Sequence, residues 1–299
     1  LQRMGELDHT LVSVVLGDNG ASGEAGPPGT INELRGMRQP PESEVWMEAN
    51  TNRLGGPMTY ENYPVGWAWA MNSPLRWVKQ YASMLGGVRN GMIFSWKGHV
   101  AKPGSVCSQF SHLIDIAPTI LDAAKLPAPS EVYGYKQKPM DGQSLLSSLT
   151  ACEPDRPRTQ YFEIGGKVGL YSDGWWASME DDRPSWELLP PTGPKPKETW
   201  TLYHLTKDFS QSTDLSARYP EKLAQMQALW EAEAKRNNVY PLDHRFGAAR
   251  AGMAGAGAAG KHFEFWGKDI SMPALGGGPY LSMRSFTVTA DIAPTKPDA

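Results

Sequence analysis

The sequence predicts an α/β core over residues 1–150, then a small antiparallel sheet with a covering helix over 151–249. A Gly/Ala linker at 250–262 and the start of an incomplete β domain at 263–299 complete the expected order. Three observations carry this. Thr10–Leu16 (TLVSVVL) is β-branched and almost wholly apolar, as a buried parallel strand is, and stops abruptly in Gly-Asp-Asn-Gly. Ser111–Ala124 is an apolar helical run. After Thr150 the texture changes to short alternating stretches separated by Gly-Gly and Asp-Gly.

Taken in order, Leu1, Met4 and Leu7 stand at three-residue spacing and read as a helix already under way, so the chain is expected to begin inside an element. The strand at Thr10–Leu16 leads into a long Gly-, Pro- and Asn-rich stretch, 22–74. Its Trp46, Tyr60, Tyr63, Trp67 and Trp69 argue for packed, ordered chain. A short helix is expected over Leu75–Met84 and a second buried strand over Gly91–Trp96. Pro118 stands at a kink in the 111–124 helix or at the start of its second half. Gln160–Met179 reads as a hairpin and Trp200–Leu205 as a strand. Tyr219–Asn237 reads as a helix with Pro220 in its first turn and Leu223, Met226, Leu229 and Trp230 on one face. Residues 250–260 (RAGMAGAGAAG) are low-complexity linker. Ser285–Asp291 alternates like a first strand, so the far end also reads as cut.

Composition narrows the functional classes. The chain has 299 residues, about two domains' worth. With 40% hydrophobic and 20% charged residues it can bury a core. Lys plus Arg is 29 against 32 Asp plus Glu, a net charge of −3, which argues against a nucleic-acid binder with a broad basic surface. No run approaches the ~18 apolar residues of a membrane span. Two cysteines, Cys107 and Cys152, make no disulfide scaffold and no zinc motif, and the sequence leaves open whether they pair.

Chemistry concentrates at two places. Asp18-Asn19-Gly20 follows the first strand, where ligands sit in open α/β sheets. An Asp and an Asn there offer hard oxygens suited to calcium or magnesium, and equally make an ordinary turn. Lys79 precedes Gly86-Gly87, where a bare backbone admits an anionic substrate; a solvated surface lysine is the plainer alternative.

Asp18-Asn19-Gly20-Ala21, Lys79 with Gly86-Gly87-Val88-Arg89, Asp115-Ile116-Ala117-Pro118-Thr119-Ile120-Leu121-Asp122 and Asp141-Gly142-Gln143-Ser144-Leu145 occur in that order. Together they resemble the C-terminal half of a formylglycine-dependent sulfatase of the alkaline-phosphatase-like fold. The stretch from Tyr63-Pro64-Val65-Gly66-Trp67 through Lys79-Gln80-Tyr81 to Arg89-Asn90-Gly91 is similar to the bacterial arylsulfatase branch. Gln160–Glu163, Leu170–Trp175, Leu202–Leu205 and Pro241–Asp243 continue the likeness.

The resemblance implies hydrolysis of an aryl or carbohydrate sulfate ester by a formylglycine made from the Cys or Ser of a C-x-P-x-R motif. It implies a calcium ion, with magnesium as the alternative, held in part by Asp18 and Asn19. It also implies that Lys79 is the lysine that binds the sulfuryl group and acts in catalysis. The expected partners are a small-molecule sulfate ester and the missing N-terminal half of the same enzyme, which would carry the nucleophile, so residues 1–299 alone should be inactive. The sequence leaves localisation open; for a bacterial protein a periplasmic or secreted setting fits better than a cytoplasmic one.

Met84-Leu85 departs from the polar residue that often precedes the family's Gly-Gly turn. Cys152-Glu153-Pro154-Asp155-Arg156 formally matches C-x-P-x-R, but its polar, proline-rich surroundings read as linker. Trp67, Trp69 and Trp77 are candidates for a substrate wall, and His112 and His204 are structural. The alternatives are a phosphodiesterase or phosphonate monoester hydrolase of the same superfamily, or a non-catalytic truncated module.

Overall fold

The computed structural model describes residues 1–16, 20–32, 42–152, 157–180, 198–244 and 287–289. The chain divides into two compact units, one of 1–187 with 194–244, the other of 188–193 with 245–299. Every element below belongs to the first. Of the second, only 287–289 are described, without regular secondary structure. Most of the alternating run at 285–291 and the whole 250–260 linker lie outside the described residues.

The first strand forms as β1 (Val12–Leu16) and pairs with β2 (Gly91–Ser95), Val12 opposite Ser95 and Leu16 opposite Gly91. The pairing is antiparallel and not the parallel arrangement expected, and both strands are largely exposed. Apolar residues on both faces of β1 fit a buried strand, yet Val14 is 41% and Leu16 52% exposed. The predicted N-terminal helix is instead two 3-10 turns, Gln2–Met4 and Leu7–His9. Gly5, at φ 75°, stands between them as the C-cap of the first.

The 22–74 stretch carries two helices, α1 (Glu44–Ala49) and α2 (Val65–Asn72). The Ser43 hydroxyl caps α1 by accepting from the Trp46 N–H, the arrangement a Ser at that position favours. The aromatics here are ordered with little burial. Tyr60, Tyr63, Trp67 and Trp69 are all exposed. No helix forms over 75–84. The chain runs through turns there because Trp77 and Gln80 take left-handed φ of 64° and 76°, and because the segment doubles back on itself.

The 111–124 run becomes a 3-10 turn (Leu113–Asp115) continued by α3 (Ile116–Ala123), with Pro118 in the first turn of α3, where its missing N–H is harmless. A two-residue ribbon, β3 (Glu131–Val132) and β4 (Tyr135–Lys136), and α4 (Leu146–Ala151) follow. Four antiparallel strands then run in sequence order: β5 (Thr159–Ile164), β6 (Lys167–Ser172), β7 (Trp175–Glu180) and β8 (Thr199–His204). Gly165-Gly166 and Asp173-Gly174 make the first two turns, as expected, all four residues at positive φ. α5 (Pro220–Arg236) starts on Pro220 and ends at Asn237.

The sheet is covered on both faces. Val168, Leu170, Ala177, Met179 and Leu202 pack against Met226, Trp230 and Ala234 of α5, with Leu223 and Leu229 beside them, the helix face that the spacing predicts. The opposite face presents Tyr171, Trp176 and Tyr203 to Met84 and Leu85. Each large side chain so buried contributes roughly 1.5–3 kcal/mol. The departure at Met84-Leu85 is thus core packing: both are buried, and an apolar pair there seats the 75–90 loop on the sheet. Trp176 Nε1 donates to the Ser83 carbonyl at 2.8 Å, and a Cβ at Gly169 would stand 2.4 Å from the Ala82 carbonyl oxygen.

Candidate functional site

The 75–90 loop and the start of the 20–24 segment fit together because three glycines let backbone touch backbone. A Cβ on Gly86 would lie 2.2 Å from the Arg76 carbonyl oxygen and 2.3 Å from that of Trp77. A Cβ on Gly87 would meet the Tyr81 carbonyl oxygen at 2.2 Å, and one on Gly20, itself at φ 97°, the Gly86 carbonyl oxygen at 2.2 Å. The Gly-Gly pair is a steric requirement of the loop.

Asn72, the last residue of α2, locks the junction. Its Nδ2 donates to the carbonyls of Trp77 (2.9 Å) and Gly86 (3.0 Å), and its Oδ1 accepts from the Ala21 N–H at 3.2 Å. The Lys79 N–H donates to the Ala21 carbonyl at 3.0 Å. Behind the loop, Gln211 is fully buried. Its Oε1 accepts from the Leu85 N–H at 2.7 Å and its carbonyl accepts from Arg76 Nη1 at 3.1 Å. Trp77 stacks on Tyr81 with centroids 4.4 Å apart and meets the edge of Trp69 at 5.2 Å.

At this junction a surface cavity of about 310 Å³ opens, lined by Gly20, Ala21, Ser22, Tyr63, Asn72, Lys79, Arg89 and Asn90. Tyr63 is fixed there by its hydroxyl, which accepts from the Ser22 N–H at 2.9 Å. Lys79 Nζ stands 3.5 Å from Glu24 Oε2. Arg89 is exposed, and among the described residues its guanidinium has no acidic partner. An ammonium, a guanidinium and neutral amide and hydroxyl groups around one cavity make a donor set suited to an oxyanion.

Lys79 lines this cavity together with Gly20, Ala21 and Ser22. Asp18 and Asn19 lie outside the described residues, next to Gly20, which lines the cavity. Among the described residues there is no group of three or more His, Cys, Asp or Glu that could hold a metal ion. The described lining fits an anion and not a metal ion. Trp67, Trp69 and Trp77 are not part of the lining; the aromatic wall is Tyr63. Glu24 and Asn72 went unmarked in the sequence, and Tyr63 was read only as a packed aromatic, because each reaches this junction through a contact across 41–56 residues that no local spacing signals.

No family model matches the sequence. Among curated proteins, an uncharacterized sulfatase of Schizosaccharomyces pombe is 24% identical over 260 residues, 85% of this chain and 43% of that protein. A sulfatase of Formosa agariphila is 31% identical over 160 residues, 50% of this chain and 27% of that protein. Both of these relatives are sulfatases, and the chain is similar to them. Among solved structures, that of Ps i-CgsB in complex with k-i-k-neocarrahexaose aligns over 84% of this chain and 42% of that one. The TM-score is 0.50 at 17% identity, a likeness of fold. The fold is the α/β, alkaline-phosphatase-like one. The chain spans less than half the length of each of these relatives.

The remaining motifs of the series are scaffold. Asp115 is fully buried. Its Oδ1 accepts from Arg158 Nη1 and from the Gln143 N–H, and its Oδ2 from the His112 N–H, all at 2.8 Å. Thr119 Oγ1 donates to the Asp115 carbonyl at 2.6 Å and accepts from the Leu145 N–H at 2.8 Å. A Cβ on Gly142 would stand 2.0 Å from the Ile114 carbonyl oxygen, so the Asp-Gly-Gln turn packs directly on the start of α3. His112 and His204 are structural, as expected: His112 Nδ1 accepts from the Ile114 N–H at 3.2 Å, and His204 Nδ1 is 2.9 Å from Thr206 Oγ1. Cys152, which heads the C-x-P-x-R match, is engaged elsewhere. Its sulfur is bonded to Cys107, and it follows the C-terminal end of α4, away from the helix N-terminus that favours an anion.

Proposed function

We propose that the chain is the sulfate-binding part of a sulfuric ester hydrolase acting on an aryl or carbohydrate sulfate. The observation that carries this is the cavity shared by Lys79 and Arg89, in a chain similar to sulfatases. In this reading Lys79 donates to a sulfuryl oxygen and stabilises negative charge as the S–O bond to the leaving oxygen breaks. Arg89 holds the remaining oxygens, for which its planar fork is suited. Asn90 and the Ser22 hydroxyl orient the ester.

Asp18 and Asn19 would supply oxygens to a divalent cation, calcium before magnesium, whose chemistry would be to neutralise negative charge on the ester. The nucleophile, a formylglycine, comes from outside residues 1–299, a reading supported by the engagement of Cys152 in a disulfide. That disulfide also supports a periplasmic or secreted setting.

The test is calorimetric titration of residues 1–299 with inorganic sulfate at low ionic strength. A charge-assisted hydrogen bond to an anion is worth roughly 1.5–3 kcal/mol, so Lys79→Ala should weaken binding at least about tenfold. Binding unchanged in that variant would remove Lys79 from the site. Equal affinity for phosphate and sulfate would favour a phosphoryl substrate instead.

A further inference from the structure

Lys79 is not free to wander in its cavity. Glu24 Oε2 is 3.5 Å from its ammonium, and Gln80 Nε2 donates to the other carboxylate oxygen, Oε1. Ser22 Oγ donates to Glu24 Oε2 at 3.2 Å and in turn accepts from Asn62 Nδ2 at 3.0 Å. Glu24 thus joins the residue after Lys79, Lys79 itself and the cavity-lining Ser22, with its side chain only 20% exposed. A carboxylate beside a cavity whose lining suits anions is locally unfavourable for the ligand, since like charge repels the incoming group. Its position is explained if it acts on the lysine.

We infer that Glu24 is a positioning residue for Lys79. Its carboxylate holds the ammonium against the cavity wall in the empty site and yields it to the entering anion. This rests on the reading of Lys79 as the sulfate-binding group, but the contact itself is measurable without any sulfate.

The experiment labels residues 1–299 with limiting acetic anhydride and follows each lysine by peptide mass spectrometry. Wild type, Glu24→Gln and Glu24→Asp are compared, with and without inorganic sulfate. Glu24→Gln keeps the shape and an acceptor for Gln80, so a purely structural Glu24 would leave Lys79 labelling unmoved. Loss of the ion pair should raise the Lys79 rate at least about threefold, the size expected for a partly exposed pair, with Lys97 and Lys207 unchanged. Glu24→Asp, which keeps the charge, should restore much of the protection. Equal Lys79 rates in wild type and Glu24→Gln overturn the inference. Sulfate should protect Lys79 more strongly in Glu24→Gln than in wild type, because the anion no longer competes with the carboxylate. A raised rate that sulfate does not suppress in either protein supports the positioning contact and refutes sulfate binding at Lys79.

Discussion

Trp77 and Gln80 bracket Lys79 at φ 64° and 76°, a region that disfavours a non-glycine residue by roughly 1–2 kcal/mol. The stacking of Trp77 on Tyr81 and the hydrogen bond from Gln80 to Glu24 hold both in place, so the lysine backbone is fixed before its side chain is considered. His112 shows the same dependence on context. Burial pushes its imidazole below the ordinary value of 6.5; the nearby Asp115 carboxylate opposes this and Arg158 adds to it. The neutral ring is needed because Nδ1 accepts the Ile114 N–H. In acid the unfolded chain therefore takes up the proton first. The stability contributed by neutral His112 is complete above pH 6.5 and is lost as pH falls below it toward the folded-state value. Thermal unfolding between pH 7.5 and 5 should show wild type losing a few degrees more than His112→Asn, whose amide oxygen can take over the cap without titrating. Parallel slopes for the two proteins would exclude His112 as the group responsible.

Among the elements, α3 owes its place to a polar knot. Asp115 is buried with Arg158, which arrives from just before β5 and also donates through Nη2 to Gln160 Oε1 at 2.9 Å. Removing one partner of a buried, hydrogen-bonded pair leaves an uncompensated charge. Arg158→Met should accordingly destabilise the chain by about 3–5 kcal/mol in urea unfolding. A loss below about 1 kcal/mol would mean that Asp115 is held by the backbone N–H groups of His112 and Gln143 alone. The Cys107–Cys152 disulfide closes a separation of 45 residues around α3, the β3–β4 ribbon and α4. It limits the unfolded ensemble of the segment that the Asp115 knot organises.

For the molecule as a whole, the sheet of β5 to β8 is covered on both faces, while the β1–β2 ribbon leaves Leu16 52% and Ile93 51% exposed. Exposed apolar residues on a two-stranded ribbon favour association between copies. Catalysis needs nucleophile and charge-stabilising groups held together. Co-expression of residues 1–299 with a formylglycine-generating enzyme should therefore leave Cys152 unconverted and give no turnover of a chromogenic aryl sulfate in calcium. Turnover that vanishes in Cys152→Ala would reverse this and make the Cys152 run the nucleophile.

By itself the sequence determined the features that repeat locally. The apolar face of α5, its Pro220 start, the Gly-Gly and Asp-Gly turns and the ordered motif series of the family are all legible because each depends on neighbours a few residues away. Lys79 was legible as a candidate for the same reason, through its place before Gly86-Gly87. Only the tertiary structure decided that 75–84 is not a helix, that β1 pairs antiparallel with β2, that Met84 and Leu85 are core, and that Cys107 and Cys152 are joined. It also brought Glu24, Tyr63 and Asn72 to Lys79 from 55, 16 and 7 residues away. A helix, strand or turn is selected by short-range backbone and patterning preferences. A strand's partner, a loop's support and a lysine's counter-charge are selected by contacts between segments whose separation along the chain leaves no local periodic trace.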